Sequence, residues 1–369
     1  MTEMENPFRP TAGATPPEVI GRAGLLDEFE YGLGLGSGAP GLLSIFTGAR
    51  GIGKTVMLGA AHDVAREHGW AVISQTANGK FMGRIGETMR RLAEELGDGP
   101  EPRRRLTGAT FAGIGLTSAL TPEREVDWRS LGENLLRLLD DRGTGLVITV
   151  DEIHAADRDE LASLAANVQH FIQDRLPIAL IFAGLPSAVS DLLNEGVATF
   201  LRRADKIDLH AAAVRDVEAS FADTFKAAGI TVTPDLIRRA AKATGGYPFL
   251  IQLVGYFLWR EAEKHQDSLT QDAVDRAIAA ALRRNERVVI EAALTNVSGK
   301  DFEFLHAMAA DEGTSTAADL IQRTGSKPTL VAKYRTRLLA AGLIESAGHG
   351  KVDFAIPGLR EYLRKNPLD

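Results

Sequence analysis

Cysteine is absent from the chain, which excludes disulfides, thiolate metal sites and cysteine nucleophiles. No apolar run approaches the ~20 residues needed to cross a bilayer. Basic residues are the minority, 42 against 49 acidic ones, for a formal net charge of −7. That excludes a uniformly basic nucleic-acid binder and leaves room for a local basic patch. The opening MTEMENPFRP lacks the basic and apolar blocks of a secretory signal. A cytoplasmic location away from membranes is therefore the expectation. What is present fits a globular protein: 44% hydrophobic and 25% charged residues, with 37 glycines among 369 residues. At ~150 residues per domain, two to three domains are expected.

Residues 1–18 hold four of the fifteen prolines and show no periodicity, so they read as an extended arm. Helix-like spacing appears over 25–33, and 32–41 is a glycine-rich loop. Apolar runs at 42–47, 146–150 and 177–183 read as strands, and so does 70–76. Helical stretches at 55–68, 84–96, 128–141 and 160–174 separate them. Apolar strands alternating with helices predict a parallel sheet covered on both faces. Residues 97–125, with the cluster Arg103-Arg104-Arg105 and the stretch ATFAGIGLTSAL, read as an insertion. After Leu209 the pattern is helical only. Four amphipathic segments predict a small bundle, and Ser298-Gly299 reads as a hinge.

The strand at 42–47 runs directly into Gly48-Ala49-Arg50-Gly51-Ile52-Gly53-Lys54-Thr55, the pattern G-x-x-x-x-G-K-T. Its glycines let the backbone curl so that successive N–H groups point at phosphate oxygens, and the following helix adds its positive end. The backbone from Gly48 to Val56 is thus the candidate cradle for ATP. Lys54 would reach the β- and γ-phosphates, and the Thr55 hydroxyl would ligate Mg²⁺. The strand LVITV ends in Asp151-Glu152, within DEIHAAD. Asp151 would hold Mg²⁺ and Glu152 would polarise an attacking water. His154 reads as a packing or hydrogen-bonding residue.

Together these segments resemble the AAA+-type P-loop ATPases, specifically the origin-recognition-complex-like ATPases, and also the STAND class of signal-transduction ATPases. Two further segments carry the likeness. Pro16-Pro17-Glu18-Val19-Ile20-Gly21-Arg22 is similar to a V-x-G-R segment that packs on the adenine. The resemblance implies apolar contact from Val19 and Ile20 and close backbone approach at Gly21. Gly245-Gly246-Tyr247-Pro248 is similar to the G-x-P turn of the STAND ATPases, which implies a base contact from Pro248. The bare residues read equally as a helix stop and restart. Arg202-Arg203 stands where such families place an arginine finger or a nucleotide-sensing arginine, which implies that role for one of the pair, with Arg203 as the candidate, and a surface pair is the plain alternative. Two departures stand out. The strand after the acidic one ends Phe182-Ala183-Gly184-Leu185-Pro186-Ser187, without the polar sensor residue of AAA+ proteins. The GGYP segment also lacks an arginine. Slow turnover, or a switch driven by ATP binding, follows from these departures.

Residues 299–369 read as three helices, a hairpin and a last helix, which looks like a winged helix. In the third helix Val331, Tyr334 and Leu338 share one face, and Thr329, Lys333, Thr336 and Arg337 share the other. From Leu320 to Leu343 there are five basic residues and no acidic one. His349 and Lys351 fall on the wing. Such a face suits double-stranded DNA, with Thr329, Lys333, Thr336, Arg337 and Lys351 as the contacts. A protein-binding winged helix is the other reading. The expected architecture is therefore an α/β P-loop NTPase core with a parallel sheet (1–209), a helical lid (210–289) and a C-terminal winged helix (290–369). The expected function is an ATP-binding, ATP-hydrolysing regulatory ATPase that associates with DNA and is able to self-assemble or take a protein partner. The alternative is a STAND-like signalling or scaffold switch.

Overall fold

The computed structural model describes residues 5–11, 20–22, 24–97, 128–194, 199–265, 267–295, 297–348 and 350–367. Val19, His349 and the expected insertion beyond Gly97, with Arg103 to Arg105, lie outside them. The chain forms two compact units. One comprises Gly24–Thr47 and Met57–Asp208. The other comprises Met1–Ala23, Gly48–Val56 and Leu209–Asp369.

The first unit is built from α1 (Asp27–Leu35), β1 (Leu43–Thr47), most of α2 (Lys54–Glu67), β2 (Ala71–Thr76) and α3 (Phe81–Gly97). These are followed by α4 (Trp128–Asp140), β3 (Leu146–Asp151), α5 (Arg158–Gln173), β4 (Ile178–Gly184), α6 (Pro186–Asn194) and β5 (Asp205–Asp208). The strands form one five-stranded parallel sheet in the order β2-β3-β4-β1-β5. All strands point the same way, so Thr47, Asp151 and Gly184 end on a single edge, with Thr47 opposite Gly184 and Asp151 opposite Thr76. The unbroken apolar runs of β3 and β4 have no polar face, and β4 is accordingly buried along its whole length. Ile85 and Met89 of α3, Leu135 and Leu139 of α4, and Val168 and Phe171 of α5 close the core. Each such side chain contributes about 1.5–3 kcal/mol by leaving water. The Phe171 ring fits over Gly132, where a β-carbon would come within 2.4 Å of it, and it stacks on Trp128 at 6.0 Å.

Elements α6 and β5 were not expected. Asp-Lys-Ile-Asp has no apolar alternation, and Ile207 alone is partly buried where β5 edges the sheet.

The second unit opens with four helices, α7 (Val214–Ala227), α8 (Pro234–Thr244), α9 (Pro248–Lys264) and α10 (Gln271–Asn285). Buried Phe221, Phe225, Val254 and Leu258 fill their interior. The N-terminal segment joins them. The Phe8 ring meets Phe221 edge-on at 5.7 Å, and it occupies the space that a side chain on Gly255 would take. The Arg9 amide donates to Gln252 Oε1 at 2.9 Å. Helix α10 runs on beyond Asn285 without a break. It continues through a π-helical turn (Glu286–Ile290) into α11 (Glu291–Leu294), and Ile290 and Leu294 belong to the next core. Ser298, the expected hinge, is a helix cap, with its hydroxyl accepting from the Asp301 amide.

The chain then runs through α12 (Gly299–Ala309), β6 (Ser315–Thr316), α13 (Ala317–Thr324), α14 (Pro328–Ala340), β7 (Ile344–Ser346), β8 (Lys351–Phe354) and α15 (Leu359–Lys365). The strands form an antiparallel sheet in the order β6-β8-β7. Four helices with a small sheet, the arrangement expected of a winged helix, pack around Phe304, Leu305, Leu320, Val331, Leu338, Ile344 and Val352. Among the described residues, no helix is long and apolar enough to cross a membrane.

Candidate functional site

The phosphate-loop motif belongs to the second unit, and its chemistry is set by what gathers around its backbone. Gly51 and Gly53 have φ of +71° and +95°, a conformation that side chains resist, so the loop turns back on itself only with glycine there. Lys54 opens α2, is 6% exposed, and donates from Nζ to the carbonyl oxygens of Gly48 (2.9 Å) and Ala49 (2.8 Å). Ile52 is buried, while Arg50 and Thr55 are exposed, and Ala49, Val56 and Ile20 are half-buried.

Three other segments converge on this loop. Gly21 is exposed, and its neighbour Arg22 donates from Nη2 to Ile52 O at 3.0 Å and to His210 O at 2.7 Å. Burial lowers the pKa of that guanidinium from its usual value. Arg22 thus ties the loop to the segment after β5. The Ala212 amide in turn donates to Gly246 O at 2.8 Å. A β-carbon on Gly246 would come within 1.9 Å of Ala212 O, so the turn requires glycine. Helix α8 ends on left-handed Gly245, and α9 restarts at Pro248. Pro248 Cγ lies 3.6 Å from where a β-carbon on Gly53 would sit, and Tyr247 lies against Gly51.

The acidic strand end lies in the first unit. Asp151 closes β3, and its Oδ1 accepts from the Glu152 amide at 2.8 Å. Glu152 takes a left-handed conformation (φ 58°, ψ 41°), which for a residue with a side chain stores strain. His154 Nδ1 lies 3.1 Å from Glu152 Oε2. In the next strand, Gly184 stands where a polar sensor is missing, and Ile153 packs directly upon it. On α2, His62 Nε2 lies 2.8 Å from Thr149 Oγ1, and burial first, then Arg66, lowers its pKa to about 4. Arg202 Nε donates to Leu193 O at 2.9 Å, whereas Arg203 is exposed.

In the C-terminal domain, Thr329, Lys333, Thr336 and Lys351 are exposed. Arg337 is engaged inside the domain. It pairs with Asp301, which is 4% exposed, at 2.5 Å, and its guanidinium lies 5.5 Å above the Tyr334 ring. Arg323 likewise pairs with Asp311 at 2.6 Å. Lys327 and Lys333 have no ion-pair partner among the described residues.

Two contributors escaped the sequence reading although their segments were singled out. Arg22 ends the V-I-G-R stretch, and Tyr247 sits inside GGYP. In each case the neighbouring residues drew the assignment. The signal for both was a large polar side chain beside a glycine that permits close backbone approach.

The AAA ATPase domain model matches residues 18–181, and a domain of unknown function (DUF8462) matches residues 287–363. No curated protein matches the chain. The Walker-type ATPase of Pyrococcus abyssi is similar in structure, with a TM-score of 0.65, 15% identity, and coverage of 94% of this chain and 96% of that one. The ORC2 protein of Aeropyrum pernix, as ADPNP–ADP complexes, gives a TM-score of 0.64 at 16% identity, covering 96% and 95% of the two chains. Cdc6p from Pyrobaculum aerophilum gives 0.52 at 16% identity over 96% and 95%. Residues 18–181 are thus similar to the AAA ATPase domain family, and the fold of the chain is similar to that of the Walker-type ATPase, ORC2 and Cdc6p structures.

Proposed function

We propose that the chain is a cytoplasmic ATPase that binds ATP on the Gly48–Val56 loop, hydrolyses it, and associates with double-stranded DNA through its winged helix. The observation that carries the nucleotide reading is the loop itself. Positive-φ glycines lead into buried Lys54 at the start of a helix, the arrangement that gathers amide donors and one cation for a phosphate chain.

In this reading Lys54 neutralises the β- and γ-phosphates, and Arg22 holds the loop in shape. Thr55 and Asp151 are the hard oxygen donors that suit Mg²⁺, an ion that takes few protein ligands beside substrate phosphates. The ion would offset charge on the phosphate oxygens. Glu152 polarises a water whose oxygen attacks the γ-phosphorus as the bond to the bridging oxygen breaks, releasing ADP and phosphate. Ile20, Gly21 and Pro248 serve the adenine side, with Val19 before them in sequence. Arg203, exposed and without a hydrogen bond among the described residues, is the arginine available to a neighbouring copy. Lys333, Thr329, Thr336 and Lys351 would contact DNA phosphates.

A second reading is favoured by two observations. Arg337 and Arg323 are drawn into ion pairs, which thins the basic face, and Ile153 fills the sensor position beside Gly184. These suit a switch that retains nucleotide and whose winged helix binds protein. Turnover measured with and without double-stranded DNA separates the two. Stimulation supports the DNA-associated ATPase, and slow turnover indifferent to DNA supports the switch.

A further inference from the structure

Tyr247 has no role in the account above, and its surroundings supply one. The side chain is 3% exposed, and its hydroxyl has no hydrogen-bond partner among the described residues. A buried donor without an acceptor is costly and uncommon in native proteins. Its position is well defined. The Tyr247 amide donates to Thr244 O at 2.9 Å, the Gly246 amide donates to Thr244 Oγ1 at 3.1 Å, and Gly246 O is fixed by Ala212. This places the ring against the phosphate loop. A β-carbon on Gly51 would lie 3.0 Å from both Oη and Cε1 of Tyr247. Burial, and after it the Glu345 carboxylate of β7, raises the phenol pKa above its usual value, so the group is a donor at any physiological pH. An uncommitted O–H donor therefore stands beside a loop built to collect anionic oxygens.

We propose that Tyr247 Oη donates a hydrogen bond to a phosphate oxygen of the nucleotide held by Gly48–Thr55, and that through it the α8–α9 turn registers an occupied loop. This rests on the nucleotide reading of that loop. No residue of the motif provides this contact. It comes from the helical region, and it explains why a tyrosine stands between Gly246 and Pro248.

The test is Tyr247→Phe in the full chain, which removes the hydroxyl and keeps the ring. The protein is titrated with ADP and with a non-hydrolysable ATP analogue, and thermal melting is followed with and without each. Without nucleotide, the variant should melt at or above the wild-type temperature, because the lost hydroxyl was unpaired. Its affinity for at least one nucleotide should fall about ten- to a hundredfold, as for a hydrogen bond to a charged group. The nucleotide-induced rise in melting temperature should shrink in step. Loss with both nucleotides places the bond on the inner phosphates, and loss with the ATP analogue alone places it on the terminal one. Wild-type affinity for both overturns the proposal, as does a lowered melting temperature without nucleotide, which would make the hydroxyl a structural group. Lys54→Ala is run alongside. If it binds nucleotide normally, the loop reading itself fails. If it loses binding while Tyr247→Phe keeps it, the assignment to Tyr247 alone fails.

Discussion

Ile153 packs so closely on Gly184 that a β-carbon at that glycine would come within 2.4 Å of Ile153 Cγ1. The turn after the acidic pair therefore leans on the end of β4, and the close fit leaves no room for an asparagine or threonine there. Gly184→Ala should overpack this contact and lower unfolding stability by about 1–3 kcal/mol, read from the denaturation midpoint. Because Ile153 follows Glu152 directly, the same substitution should reduce ATP turnover more than nucleotide affinity. An alanine tolerated with unchanged stability would show that the packing is slack.

Phe8 joins the N-terminal segment to the helices around α9, between Phe221, Phe225 and the open space at Gly255. Phe8→Ala should cost about 3–5 kcal/mol, the usual loss for a buried aromatic. Gly255→Ala should expel the same ring, so the double variant should lose much less than the sum of the two. A cycle that adds without coupling would contradict the contact.

His62 sets a pH dependence. Its folded pKa is about 4, against 6.5 for the ordinary group, so below pH 6.5 the unfolded chain takes up a proton that the folded chain refuses. Its contribution is fully present above pH 6.5 and is lost as pH falls toward 4. The full difference corresponds to about 3 kcal/mol at 1.36 kcal/mol per pH unit. His62→Gln should flatten the stability curve between pH 6.5 and 4, measured without nucleotide or divalent metal. Identical slopes for both proteins would remove His62 from the account.

Lys333 and Arg337 share the outer face of α14 but should behave differently. Lys333→Ala should leave the melting temperature unchanged, weaken DNA binding, and reduce the slope of log affinity against log salt by about 1. Arg337→Ala should lower the stability of the C-terminal domain, since it strands buried Asp301. Equal effects of the two on DNA, with no change in stability, would show that the Arg337–Asp301 pair does not hold in solution.

The parts legible in the sequence were those with a strong local signal. The apolar runs of β1, β3 and β4, the glycine-lysine loop and the Asp151-Glu152 strand end announce themselves within a few residues. The parts that escaped depend on partners far along the chain. Asp205–Asp208 becomes a strand only because β1 offers an edge. Phe8 is buried only because residue 255 is glycine. The hinge expected at Ser298-Gly299 falls at the start of α12, while α10 runs on through Glu286–Ile290, where no glycine or proline interrupts it. In the site, Arg22 and Tyr247 act through backbone carbonyls and a buried contact, neither of which leaves a spacing to read.

The central claim is that Gly48–Val56 binds nucleotide and that Glu152 serves only its turnover. Equilibrium titration of a fluorescent ATP analogue into wild type, Lys54→Ala and Glu152→Gln, with phosphate release followed in parallel, tests it most directly. The account predicts no measurable binding for Lys54→Ala, and for Glu152→Gln wild-type affinity with phosphate release abolished. Normal binding by Lys54→Ala, or normal turnover by Glu152→Gln, would contradict it.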